Sequence, residues 1–139
     1  MLKHLETADE IRSSFRAFTI LRPKLDEETF VEQALRQLQQ GYKVTAIVEG
    51  DQVVSAAGYR FSESLGWGKF IYIDDLVTHP DARGKGYAGQ LLDYIHQLAL
   101  ENNCDSIHLD SGHSRYDAHR LYLNHKFIMT SHHFRRQLT

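Results

Sequence analysis

Three β-rich runs, joined by turns too short to hold a helix, constrain this chain more than any other feature. Residues 42–48 and 53–59 flank Glu49-Gly50-Asp51-Gln52, a hairpin turn by composition. Residues 69–78 form the third run, reached through the segment 62–68. A parallel neighbour needs a crossover of a dozen or more residues, so these strands must form an antiparallel meander. Asp74-Asp75 interrupts the alternation of the third run and predicts a bulge or an exposed strand end. His79-Pro80 terminates it.

A helix is predicted over residues 86–102, where Ala88, Leu91, Leu92, Ile95, Leu98 and Ala99 recur at helical spacing. A strand over 106–110 follows, and strand, long helix, strand adds one parallel pair to the sheet. Upstream, residues 2–5 read as a short strand. Thr7-Ala8-Asp9-Glu10 fits a capping box and opens a helix carrying Ile11, Phe15 and Phe18. Leu21-Arg22-Pro23-Lys24 breaks that helix. A second helix starts near Asp26, with Val31, Ala34, Leu35 and Leu38 on one face, and Gly41 ends it. Another begins near Ser114, and β segments are expected over 127–129 and 132–138. The expected fold class is α+β: a mixed, mostly antiparallel central sheet with about four flanking helices. No repeat, linker or low-complexity tract interrupts the 139 residues, so a single domain over 1–139 is expected.

Charge narrows the function classes. The formal net charge is −2 with both signs interspersed, which gives no case for nucleic acid or an anionic membrane. Cys104 is the only cysteine, so no internal disulfide forms, and the nine histidines show no ligand spacing beyond the adjacent His132-His133. No metal is expected. No window approaches the roughly 20 apolar residues of a membrane span, and no secretory signal is visible, so the expected setting is cytoplasmic.

Arg83-Gly84-Lys85-Gly86-Tyr87-Ala88-Gly89 stands between the third strand and the long helix. Glycines let backbone approach an anion, and the free amides of a helix start point at it. Arg83 and Lys85 add charge complementary to phosphate. An ordinary loop explains the glycines but not this combination. The same residues spell G-x-G-x-x-G through Gly84, Gly86 and Gly89, with Asp110 downstream, which is the dinucleotide fingerprint of an oxidoreductase. That fingerprint follows its strand almost at once, whereas here His79 to Ala82 intervene. The chain is also too short for two mononucleotide halves.

Leu76-Val77-Thr78-His79-Pro80, the turn at Arg83 to Ala88 and Leu91-Leu92 together resemble the central motif of the GNAT family of N-acetyltransferases. Arg83, Gly86 and Ala88 occupy the motif's fixed positions. Ala118, Leu121, Tyr122 and Phe127 fall in register with a second family element, and the order of elements matches along the whole chain. The resemblance implies a sheet split by a V-shaped opening between two strands, with acetyl-CoA as the cosubstrate inserted there. Backbone amides of Arg83, Gly84, Lys85, Gly86, Tyr87 and Ala88 would hold its pyrophosphate. Leu76, Val77 and Thr78 would pair with the pantetheine arm like an added strand, one amide polarising the thioester carbonyl. Tyr122 is the implied general acid for the departing thiolate, since a phenol with a pKa of about 10 is protonated at neutral pH. The other reading of Tyr122 is a core residue of an amphipathic helix.

Two departures stand out. Arg115 replaces the family's Asn near the CoA arm and suits an ionic contact to phosphate, and Lys126 replaces a glycine that eases a left-handed turn. Asp74, Asp75 and Asp110 are candidates to bind the amine or take its proton, with Asp75 preferred; such acids equally serve turns. His79, His113 and His119 are alternative bases. Cys104 reads as a buried thiol rather than a nucleophile. The acceptor is expected to be an amine on a small molecule or a protein, and a homodimer is compatible with the sequence. A CoA-binding module without turnover is the non-enzymatic alternative.

Overall fold

In the computed structural model, which describes residues 1–139, the chain opens on an edge strand, β1 (Leu2–Leu5). The capping box follows as expected. Thr7 Oγ1 accepts from the Glu10 amide at 3.2 Å, and Glu10 Oε1 accepts from the Thr7 amide at 3.1 Å. The helix it starts is broken in two, α1 (Ala8–Ser13) and α2 (Phe15–Leu21). The break lies at Ser14, fully buried, whose hydroxyl donates to the Ile11 carbonyl at 2.6 Å and bends the chain. That split makes five α-helices, against about four expected. α3 (Glu27–Leu38) starts on Asp26, whose carboxylate accepts from the Thr29 amide at 2.8 Å.

The meander is β2 (Tyr42–Glu49), β3 (Gln52–Ser64) and β4 (Gly68–Thr78), all antiparallel. β3 and β4 extend past their apolar runs, so segment 62–68 contributes strand at both ends and the turn shrinks to residues 65–67. A 3₁₀ turn (Pro80–Ala82), α4 (Tyr87–Glu101) and β5 (Ser106–Leu109) follow, and β5 pairs with β4 in parallel. The sheet order is β1-β2-β3-β4-β5. One core joins α1–α3 to one face of the sheet through Leu5, Ile11, Phe18, Phe30, Val44 and Val77. Strand alternation turns Thr45 and Ile47 to the other face, where α4 buries Leu91, Leu92, Ile95 and Ala99.

Residues 1–109 form one compact unit and residues 110–139 another. The second holds α5 (Tyr116–Asn124), and nothing after it is strand. The β segments expected over 127–129 and 132–138 are therefore absent. Ile128, Met129, Phe134 and Leu138 are all exposed, so most of the apolar pattern that suggested strands stays in solvent.

Candidate active site

The glycine turn begins where β4 ends. His79 caps the 3₁₀ turn, its Nδ1 accepting from the Asp81 amide at 3.2 Å, and Ala82 is buried beneath. Gly84 and Gly86 then take φ of +83° and +80°. A Cβ at either would meet nothing within 4 Å, so glycine is required by the left-handed backbone and not by crowding. Gly86 is the N-cap of α4 and supplies no capping side chain, which leaves the first amides of the helix for an anion. Arg83 Nε donates to the Thr78 carbonyl at 3.3 Å. Lys85 meets Glu49 Oε2 at 3.1 Å, and the Tyr87 hydroxyl donates to the same oxygen. The Tyr87 hydrogen bond, then the hydrogen bond and charge of Lys85, hold the Glu49 carboxyl below its usual range.

The strand leading into this turn has an open edge. His79 donates its amide to the Val54 carbonyl at 2.8 Å, so the pairs two and four residues on, Ala56–Val77 and Gly58–Asp75, are the hydrogen-bonded ones. Leu76 and Thr78 therefore direct their amides and carbonyls to the opposite edge. β5 covers that edge only from Phe70 to Ile73. Within the first unit, no strand pairs with that edge of β4 from Asp74 to Thr78, and an extended ligand can add there as a strand.

The bulge lies at the start of this open stretch. Gly58 pairs with Asp75 and Tyr59 with Ile73, so Asp74 is the extra residue. Each acid has its own guanidinium. Arg60 donates to both oxygens of Asp74, at 3.1 and 3.0 Å. Arg22 donates to Asp75 Oδ1 from Nε at 2.9 Å and from Nη2 at 2.6 Å, while the Tyr42 hydroxyl donates to Oδ2 at 2.7 Å. Burial, then the Asp75 charge, raises the Tyr42 phenol well above its ordinary pKa, so it stays protonated. Burial also raises Asp74, against the pull of Arg60. The Tyr42 phenol fits because residue 58 lacks a side chain: a Cβ there would lie 1.7 Å from its oxygen. Beside this cluster a cavity of about 120 Å³ opens between α1–α3 and the sheet, walled by Phe18, Leu25, Phe30 and Ala34.

In the second unit, Tyr122 is the buried residue of α5 and its ring lies 5.9 Å from that of Phe127. Burial raises its pKa, with Arg115 pulling the other way, so it too is a phenol at neutral pH. Arg115 is exposed at the helix start. Lys126 takes φ of +70°, the left-handed conformation for which the expected glycine is suited. Asp110 faces His133 at 3.4 Å, and His119 Nε2 lies 2.8 Å from the Gly112 carbonyl.

The structure thus places Arg83 to Ala88 at the end of the edge formed by Leu76 to Thr78, with Asp75 at its start. Sequence reasoning missed Arg22, Tyr42, Gly58 and Glu49. Arg22 was visible only as part of a helix break, and the other three are ordinary strand or turn residues until the register is known. The sheet, with a single parallel pair and a 3₁₀ turn between strand and glycines, excludes the doubly wound dinucleotide fold.

Comparison with known proteins agrees with this geometry. The family model described as Acetyltransferase (GNAT) family matches residues 6–127. An N-acetyltransferase of Bacillus subtilis (strain 168), described as uncharacterized, is 32% identical over 137 residues, 97% of this chain and 96% of the relative. A thialysine N-epsilon-acetyltransferase of Bos taurus is 31% identical over 61 residues, which span 44% of this chain and 36% of that protein. An acetyltransferase of Trypanosoma brucei has the same fold, with a TM-score of 0.82 at 19% identity and 99% of each chain covered.

Proposed function

Because this chain belongs to the GNAT acetyltransferase family and is an acyl-CoA-dependent N-acetyltransferase, we propose that it transfers acetyl from acetyl-CoA to an amine by direct attack in a ternary complex. The observation that carries this reading is the uncapped, glycine-built start of α4 at the end of the open edge of β4. The amides of Arg83 to Ala88 hold the pyrophosphate, with Arg83 and Lys85 as flanking charge and Arg115 as a further phosphate contact. Leu76, Val77 and Thr78 hold the pantetheine arm. The Leu76 and Thr78 amides face it, and one of them donates to the thioester carbonyl as charge develops there.

Asp75 holds the amine, and Tyr122 gives its proton to the departing thiolate, the role its protonated state at neutral pH supports. No step passes through Cys104. The acceptor is an amine on a small molecule or a protein, and both a monomer and a homodimer accommodate the reaction. The same proposal sets it in the cytoplasm. No helix is long and apolar enough to cross a membrane.

Tyr122→Phe tests the mechanism. The variant should fold, bind acetyl-CoA with wild-type affinity, and turn over about 100- to 10,000-fold more slowly, the usual loss of a general acid. Wild-type turnover with chemistry rate-limiting would remove Tyr122 from the reaction. Ping-pong kinetics with a trapped acyl-Cys104 would overturn direct transfer.

A further inference from the structure

We propose that the cavity beside the bulge is the acceptor pocket and that it selects a small, apolar α-amino acid, whose ammonium and carboxylate are read by Asp75 and Arg22. The inference rests on the acetyltransferase reading and adds the substrate class.

Placement comes first. Asp75 lines the cavity and immediately precedes Leu76, whose amide faces the open edge assigned to the acyl arm. An amine held on Asp75 is therefore beside the edge where the thioester is placed.

Charge comes second. The cavity presents one carboxylate and one guanidinium already paired to each other, a neutral dipole rather than a bare acid. A polyamine finds no second acid in the cavity, because Asp75 is the one carboxylate among its lining residues. A simple monoamine adds an unbalanced positive charge. A zwitterion adds none.

The donor inventory fits the same ligand. An ionised carboxylate offers about four lone-pair sites. Asp75 Oδ1 accepts two bonds from Arg22 and Oδ2 accepts one from Tyr42, so Oδ2 has capacity left for an ammonium. Arg22 spends Nε and Nη2 on Asp75 and the Asp74 carbonyl, leaving Nη1 to donate to a carboxylate. The ligand's two charges can thus be read without breaking the Arg22–Asp75 pair.

Size and lining come third. A cavity of about 150 Å³ lined by apolar side chains accommodates benzene. One of about 120 Å³, walled mainly by Phe18, Leu25, Phe30 and Ala34, with Gln33 and Gln37 hydrogen-bonded to each other on the same lining, suits a branched aliphatic side chain such as that of leucine. In the reaction the N–C bond forms as the C–S bond breaks. Of the two protons lost by the ammonium, one ends on the sulfur by way of Tyr122 and the other passes to solvent.

The test compares L-leucine, glycine, 3-methylbutylamine (leucine without its carboxylate), spermidine and a lysine-containing peptide as acceptors. CoA thiol release is followed with the wild-type protein and with Arg22→Ala. Acetyl-CoA binding is measured separately by calorimetry. Leucine should exceed both glycine and 3-methylbutylamine at least tenfold in kcat/KM, and Arg22→Ala should erase its advantage over 3-methylbutylamine while leaving acetyl-CoA binding unchanged. Equal or better turnover of 3-methylbutylamine, spermidine or the peptide overturns the proposal. So does acetyl-CoA binding with no turnover of any amino acid. Failure of acetyl-CoA to bind would instead overturn the acetyltransferase reading beneath it.

Discussion

Gly58 matters for what it lacks. Its missing Cβ is the space into which the Tyr42 hydroxyl reaches Asp75, and a methyl group there would sit 1.7 Å from that oxygen. Gly58→Ala should expel the phenol, break its 2.7 Å hydrogen bond and cost about 1–3 kcal/mol, the usual penalty of overpacking, read from urea unfolding. Unchanged stability would show that Tyr42 has another resting place. Lys126 presents the opposite case, a side chain where glycine belongs. Its φ of +70° strains an L-residue, and it is exposed. Lys126→Gly should therefore stabilise the second unit by about 1 kcal/mol, the strain relieved less the entropy gained by the unfolded chain, seen as a higher Tm.

At the scale of elements, legibility followed range. The glycine turn, the capping box and the bulge were all readable, because each is a local pattern: Gly84 and Gly86 for left-handed backbone, Thr7 and Glu10 three apart, Asp74-Asp75 breaking an alternation. Ser14 looked like any helical residue, and its bond to the Ile11 carbonyl, which divides α1 from α2, depends on its being buried. Arg22 and Tyr42 meet Asp75 across 53 and 33 residues of sequence, a convergence no local pattern encodes. The segments 127–129 and 132–138 have β composition but no ladder partner, and composition alone does not make a strand. The first helix carries a pH prediction. The amides of Glu6 and Thr7 hold the Glu10 carboxyl at about 2, against 4.5 for an unperturbed glutamate. Since the folded value is the lower one, the stabilisation is present in full above pH 4.5 and is lost as pH falls through 2. Acid titration followed by NMR should show the α1 start loosening across that window, and Glu10→Gln should lack the effect. A Glu10 titration near pH 4.5 would contradict it.

For the whole molecule, the function follows from one topological event. A meander sets β4 against β3 along its full length, the α4 crossover brings β5 to β4 only as far as Ile73, and the remaining edge runs unpaired to the glycine turn. Connection lengths made the three antiparallel strands and the one parallel pair legible, whereas the opening between β4 and β5 came only with the family resemblance. The pairing of an acyl arm along that edge also came only with the resemblance, but the helix start was legible as a candidate anion site, because the glycines and Arg83 and Lys85 stand there. The acceptor side was not, since it depends on which side chains three helices and a bulge bring together. If the start of α4 holds the pyrophosphate of acetyl-CoA, calorimetry on the wild-type protein and Gly86→Glu will separate the two. A glutamate there places a negative charge in the anion site and, at φ of +80°, strains the turn. The wild-type protein should bind acetyl-CoA and not NADH, and the variant, with its circular dichroism unchanged, should lose at least 100-fold in affinity. Binding of NADH in place of acetyl-CoA, or equal acetyl-CoA affinity in the two proteins, would contradict the account.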